Sequence, residues 1–128
     1  MSILVVRLGS PRLKAEGTRI GTVRRPPRGV PKAEFAARDF YDVLYPTLAP
    51  SVETMKLGQA ATDAKAWAAF VRRYRAEMAE PEASRSIELL AALSHTANFS
   101  VGCYCADEAH CHRSVLRELL VEKGARLA

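Results

Sequence analysis

The sequence predicts a small α/β domain of the Rossmann-like, layered kind, with a central, mostly parallel sheet flanked by helices. Short runs rich in β-branched residues predict strands, and apolar stripes at helical spacing lie between the second and the third of them. Strands separated by helix-length segments can pair in parallel, because each crossover then has room to return. The 128 residues, 48% of them hydrophobic, suffice for one core, so we expect a single domain spanning residues 1–128.

Three strands are evident from composition. Residues 3–8 form an apolar run that ends at a Gly-Ser-Pro breaker, and a second strand is expected at about 19–24. The prolines that follow exclude helix and central strand. Residues 99–105 predict a buried third strand. A short helix should open at Pro31, residues 41–51 should be irregular, and a fourth strand is expected near Gly21 or Leu48.

Three helices complete the pattern. The clearest has its stripe at Trp67, Phe70, Val71, Tyr74 and Met78, with a cap at Thr62 or Asp63 and Pro81 beyond its end. A second helix fits residues 82–94, and a last one ends at Gly124. The predicted core includes Cys103, Trp67, Phe70, Leu116 and Leu119.

Composition narrows the function classes. Charges interrupt every apolar run before the roughly 18 residues that a membrane span needs, and no secretory leader is visible, so we expect a cytoplasmic protein without membrane contact. The formal net charge of +5 favours anionic ligands. Three cysteines, all between 103 and 111, are too few for a disulfide framework and indicate reduced thiols with a local role.

The segment from Cys103 to Arg113 is the best candidate site, because open α/β sheets bind ligands at the carboxyl ends of their strands. Loop amides, the helix dipole and the Arg113 guanidinium would bind an anion. The same positive field would activate Cys111 or Cys105 as a thiolate, with His112 as proton partner.

Two other interpretations of the cysteines stay open. Cys103, Cys105, Cys111 and His112 are enough ligands for zinc, but no Cys-x2-Cys pair is present and adjacent ligands rarely converge, so we expect no metal and no cofactor. Alternatively, the cysteines are small buried hydrophobes. An extended strand disfavours a bridge from Cys103 to Cys105, because it holds the two side chains parallel, whereas a bridge to Cys111 is easier and would make a redox switch. The sequence does not decide whether the protein is an enzyme.

Further candidates lie outside this segment. Arg24, Arg25 and Arg28 crowd into the proline-rich turn that follows the second strand. Glu77 lies one turn beyond Tyr74 and would receive an arginine or act as a base, whereas Tyr74 is expected in the core with a bonded hydroxyl.

Taken together, several motifs resemble the domain-of-unknown-function family 488, also called YeaO-like. They are Arg24-Arg25-Pro26-Pro27-Arg28-Gly29, Leu48-Ala49-Pro50-Ser51, the helix stretch at 70–78, and the strand-loop-helix with its Cys-His-Arg. The YeaO branch usually carries an Asp before the Arg and a Trp before the Pro, whereas in this chain Val23 precedes Arg24-Arg25 and Pro26 replaces the Trp. The resemblance spans nearly the whole chain and implies the fold, with no established activity to carry over.

The function expected is binding of a small phosphate-bearing ligand, such as a nucleotide. Arg24, Arg25, Arg28, Cys105 and Arg113 are the candidate ligand-binding residues. Cys111, His112 and Glu77 are the candidate catalytic residues. The alternative is a non-enzymatic module that binds nucleic acid or another partner through the basic turn at 24–28.

Overall fold

The computed structural model describes all 128 residues and contains a four-stranded, all-parallel sheet. The strands are β1 (Ile3–Arg7), β2 (Thr18–Gly21), β3 (Val43–Leu44) and β4 (Phe99–Cys103). Their spatial order is β1-β4-β2-β3, so the last strand of the chain lies inside the sheet between the first two. The predicted α/β architecture with parallel pairing is therefore confirmed.

Four α-helices accompany the sheet: α1 (Val52–Ala60), α2 (Ala64–Met78), α3 (Pro81–Leu93) and α4 (His112–Glu122). The predicted cap of α2 is Asp63, whose carboxylate accepts a hydrogen bond of 2.7 Å from the amide of Ala66. None of the helices is both long enough and apolar enough to span a membrane.

β3 lies in a segment that the sequence predicted to be irregular, and α1 lies where no helix was predicted. β3 is only two residues long and falls within the 41–51 segment, close to Leu48. Helix α1 was missed because its apolar residues follow no regular stripe and Gly58 interrupts it. Ser51 nevertheless caps this helix by accepting a hydrogen bond from the amide of Thr54.

The main core lies between one face of the sheet and the helices. Phe70 and Leu116 are buried there as predicted, whereas Trp67 and Leu119 are only partly buried and pack at its margin. Cys103 is buried as well, but in a smaller cluster at the carboxyl edge of the sheet. The core members are Ile3, Leu48, Phe70, Tyr74, Met78, Ala83, Ile87, Leu90, Phe99, Val101, Val115, Leu116 and Leu120.

The opposite face of the sheet holds a fully buried ion pair. The guanidinium of Arg19 donates to both carboxylate oxygens of Glu16, at 2.7 and 3.0 Å. It also donates to the carbonyl oxygens of Ser10 and Asp39, at 2.8 and 2.7 Å. The hydroxyl of Ser100 on β4 donates to Glu16 at 2.6 Å. This pair therefore joins the loops that precede β2 and β3 to the central strand.

We predict that Glu16→Gln lowers the free energy of unfolding by about 3–5 kcal/mol, because it leaves Arg19 buried without a counter-charge. Chemical denaturation measures this loss. The matched control is Glu118→Gln, which breaks an exposed pair with Arg75 and should change stability by less than about 1 kcal/mol. Equal losses in the two variants would contradict a dominant role for the buried pair.

The pH dependence provides a second measurement on the same variant. Burial by itself raises the pKa of Glu16, but hydrogen bonds from Arg19 and Ser100 outweigh it and hold the pKa below its ordinary value of 4.5. The stabilisation is complete above that ordinary value and is lost as the pH falls through the folded-state pKa. The stability curves of the wild type and of Glu16→Gln should therefore converge in acid.

Candidate functional site

Two of the three cysteines meet at the carboxyl edge of the sheet. Cys103 is the last residue of β4, Cys111 immediately precedes α4, and their Sγ atoms are in contact. Both are buried, at 1% and 2% exposure. Their Cα atoms lie 8.0 Å apart. A relaxed disulfide spans about 4.4–6.8 Å between Cα atoms, so the backbones of these two residues lie farther apart than a disulfide prefers.

His112 presents one defined nitrogen to this pair. Its Nε2 lies 2.8 Å from the carbonyl oxygen of Thr22, which can only accept, so Nε2 carries the proton. Nδ1 therefore offers its lone pair and lies 3.8 Å from Sγ of Cys111. Burial lowers the pKa of His112 to about 4, which keeps the imidazole neutral near pH 7.

The Sγ atoms of Cys103 and Cys111 and a ring nitrogen of His112 lie within 4.8 Å of one another. The two adjacent residues converge because Cys111 has an extended backbone, with φ −136° and ψ 151°, while His112 is the first residue of the helix. A neutral imidazole here can accept the proton of a thiol. Two sulfurs and one imidazole are also the ligand types that a soft metal ion prefers.

A cavity of about 220 Å³ opens beside these residues, and we call it the thiol cavity. All three cysteines line it, together with His110 and His112. Its apolar wall includes Trp67 and Phe70, whose rings stack with centroids 4.6 Å apart. The remaining lining residues are Val23, Pro50, Met55, Gly58, Gln59 and Tyr104.

Cys105 differs from the other two cysteines in exposure. The strand ends at Cys103, so the alternation that would place Cys105 beside it on one buried face does not extend that far. Cys105 lies in the loop that follows β4, where it is exposed to solvent but still lines the thiol cavity. Cys105 is therefore the thiol that solvent reaches.

Arg113 braces the loop that carries Cys105. Its side chain is only 3% exposed, and Nη2 donates to the carbonyl oxygen of Cys105 at 2.6 Å. Its buried Nε has no hydrogen-bond partner. The residue predicted to hold an anion thus contacts the backbone of the site and leaves its buried Nε without a partner.

A second hollow, the basic pocket, adjoins the thiol cavity. It measures about 740 Å³ and is lined by Arg24, Arg25, Arg28 and Lys56, with no carboxylate among its lining residues. The two hollows share four wall residues: Val23, Met55, Gln59 and Tyr104. The arginine turn and the cysteine loop therefore meet at one edge of the sheet.

Hydrogen bonds to the backbone hold the arginine turn in place. Nε of Arg24 donates to the carbonyl oxygen of Pro50 at 3.1 Å. The hydroxyl of Tyr104 donates to the carbonyl oxygen of Arg25 at 2.9 Å. The side chains of Arg25 and Arg28 are exposed and form no ion pair, so their charges are free to meet an anion.

Glu77 lies away from the cysteines. Its carboxylate accepts hydrogen bonds from the amide and the hydroxyl of Ser51, at 2.8 and 2.6 Å, and from the hydroxyl of Thr54 at 2.6 Å. Burial raises the pKa of Glu77, but these hydrogen bonds outweigh it and the net shift is downward. The structure thus brings Glu77 to the start of α1 and not to the thiol cavity.

Sequence reasoning missed three contributors to the site. Thr22 acts through its backbone carbonyl, which no side-chain type can signal. Lys56 lies on the helix that had no clear pattern, and Tyr104 was considered only as a strand residue. The Leu48-Ala49-Pro50-Ser51 motif is a sequence signal for contacts around the site. The carbonyl oxygen of Pro50 accepts a hydrogen bond from Arg24, and the hydroxyl of Ser51 donates one to Glu77.

Comparison with protein families gives a match over residues 3–124, to the family model described as "DUF488-N3a: Active DUF488-N3 subclade". The matched range includes the arginine turn and the complete cysteine loop. No curated protein and no solved structure matches the chain.

We predict that Glu77→Gln lowers the free energy of unfolding by about 1–3 kcal/mol, because an amide cannot replace both acceptor oxygens at the start of α1. Glu80→Gln is the matched control, since Glu80 is exposed and lines the same shallow surface pocket as Glu77. Its effect should stay within about 0.5 kcal/mol. Thermal and chemical denaturation measure both changes. An unchanged free energy of unfolding in Glu77→Gln would show that Glu77 does not stabilise the start of α1.

We also predict that iodoacetamide modifies Cys105 of the native, reduced protein more than about tenfold faster than Cys103 or Cys111, because only Cys105 is exposed. Peptide mass spectrometry at timed intervals measures the three rates. All three cysteines should react similarly in denaturant. Rapid native labelling of Cys111 would show that the thiol cavity admits the reagent to its buried end.

Proposed function

The chain belongs to the DUF488 family, and we propose that it binds a phosphate-bearing ligand in the basic pocket, with the reactive part of that ligand entering the thiol cavity. The observation that carries the proposal is the wall of four residues shared by the two hollows. A ligand anchored by the arginine turn would have its other end beside the cysteines.

The charges of the basic pocket support an anionic ligand. Four cationic side chains line it, and no lining carboxylate competes for them. Arg25, Arg28 and Lys56 are exposed and without ion pairs, so binding an anion breaks no existing salt bridge. Guanidinium groups hold phosphate oxygens through paired, charge-assisted hydrogen bonds. A ligand with one or more phosphate groups therefore fits better than a neutral one.

The apolar part of the same pocket supports a nucleotide-like ligand. Phe40 and Tyr104 meet edge to face there, with ring centroids 6.3 Å apart. Val52 and Met55 add aliphatic surface from α1. A flat, partly apolar group joined to phosphate would use both kinds of surface, because bases stack on aromatic and aliphatic side chains while their phosphates bind cations.

The chemical group that we assign to contact the ligand is the thiol of Cys105. It is exposed, lines the thiol cavity and has its backbone fixed by Arg113. Cys111 and His112, the catalytic candidates of the sequence, lie at the buried end of the same cavity. The description of the matching subclade as "Active" agrees with a chain that keeps reactive side chains in this loop.

A second candidate function is binding of single-stranded nucleic acid at the same turn. It is favoured by the exposure of Arg24, Arg25 and Arg28, which leaves the basic pocket open enough for a polymer to cross. The two functions use the same cations but differ in the number of phosphates that bind.

We predict that Arg25→Gln and Arg28→Gln each weaken the binding of ATP and of inorganic pyrophosphate by about tenfold, as expected for loss of one charge-assisted contact of about 1.4 kcal/mol. Calorimetric titration measures the affinities. Protection of Cys105 from iodoacetamide by ATP tests whether the ligand reaches the thiol. Arg72→Gln and Arg85→Gln remove exposed arginines outside the basic pocket and should leave binding unchanged. Unaltered affinity in the pocket variants would refute the assignment.

Salt dependence separates the small ligand from the polymer. If the four cations of the pocket bind four phosphates of a single strand, its affinity should fall about 50-fold between 50 and 200 mM salt, from a slope of roughly −3. Binding of ATP should weaken less. An oligonucleotide that binds more tightly than ATP and shows this steep dependence would establish the second function.

A further inference from the structure

We propose that Cys103, Cys111 and His112 form a zinc(II) site whose fourth coordination position opens into the thiol cavity. The inference reverses the expectation from ligand spacing, because the fold achieves the convergence that adjacent ligands rarely show. It goes beyond the proposed function, which assigns no metal, although the three residues line the thiol cavity that the proposed ligand enters.

The position of the ring nitrogen and the spacing of the backbone fit a metal shared by these residues. Nδ1 of His112 lies 3.8 Å from Sγ of Cys111, near the roughly 3.6 Å between a sulfur and a nitrogen of one tetrahedral zinc, given Zn–S near 2.3 Å and Zn–N near 2.0 Å. The two sulfurs are in contact, and sharing the ion would move them apart to about 3.8 Å. The Cα spacing of 8.0 Å between Cys103 and Cys111 exceeds the roughly 4.4–6.8 Å of a disulfide. An intervening ion widens the spacing that two cysteines need, so the backbone suits a shared metal better than a direct bond.

The surroundings of His112 support the same ion. Metal-binding imidazoles usually donate their second nitrogen to a carbonyl or carboxylate, which fixes the tautomer and the ring. Nε2 of His112 makes this contact with the carbonyl oxygen of Thr22 at 2.8 Å. The ligating atom is then Nδ1, the nitrogen that already faces Cys111.

Charge balance favours zinc at this depth. The two negative charges of the thiolates offset the charge of a divalent cation and the imidazole is neutral, so the complex carries no net charge. Cys103 and Cys111 are buried among Leu8, Val23 and Tyr41, where an uncompensated charge would be strongly unfavourable. Sulfur ligands also select zinc over magnesium or calcium.

The fourth position faces the thiol cavity, which all three proposed ligands line. Three protein ligands with one open position are typical of zinc sites that bind water or a substrate. Cys105 lines the same cavity but is exposed, and it stays free in this arrangement.

The test begins with the wild-type full-length chain, produced in zinc-supplemented medium and purified under reducing conditions without chelator. Elemental analysis should give about one zinc per chain. Replacement by Co²⁺ should produce thiolate-to-cobalt charge transfer and the visible bands of a tetrahedral site. A reduced protein that binds neither Zn²⁺ nor Co²⁺ saturably overturns the proposal. So does a Cys103–Cys111 disulfide in the protein purified under these conditions, detected by thiol titration in denaturant.

Variants locate the ion. Cys111→Ser and His112→Gln should weaken zinc binding by more than about 100-fold. Cys105→Ser and His110→Gln are matched controls that line the same cavity and should keep about one zinc per chain. Loss of zinc in Cys105→Ser would refute the open fourth position. The cobalt spectrum of the wild type decides the identity of the site even where a ligand variant does not fold.

Discussion

The candidate site depends on one hydrogen bond, from Nε2 of His112 to the carbonyl oxygen of Thr22. It ties the first turn of α4 to the chain leaving β2, two elements that are 90 residues apart in sequence. The same bond sets the tautomer of the imidazole. The Tyr74 ring packs against this imidazole in an edge-to-face contact, with centroids 5.5 Å apart. The position of Cys111, and with it the buried end of the thiol cavity, follows from this contact.

The order of the strands explains why the two hollows adjoin. β4 lies beside β2, so the chain segments that leave their carboxyl ends emerge at one edge of the parallel sheet. One of these segments carries the arginine turn and the other carries the cysteines. The face away from the helices is closed by loops around the buried pair of Glu16 and Arg19. The buried ion pair and the exposed arginines at the carboxyl edge are thus separated in space.

The sequence predicted elements well where a strong pattern repeats. The stripe of α2, its Asp63 cap and Pro81 beyond its end all agree with the structure. Helix α1 has no stripe and β3 has only two residues, so neither carries enough local signal. Both form because the fold supplies partners: β3 pairs with β2, and the start of α1 is held by Glu77. The carboxylate of Glu77 makes it a candidate base by residue type alone. Its contacts with Ser51 and Thr54 are those of a residue that caps the start of α1.

By itself the sequence determined the family, the parallel α/β class and the two segments that form the candidate site, because residue types, breakers and periodicity are local properties. Only the tertiary structure decided which groups meet. Cys103 faces Cys111, and Cys105 is left exposed, because β4 ends at Cys103. The nitrogen that His112 offers is set by a backbone carbonyl, a group that every residue has and no pattern marks. Contacts across such sequence distances arise from packing and chain reversal, so they become visible only when the strands are assembled.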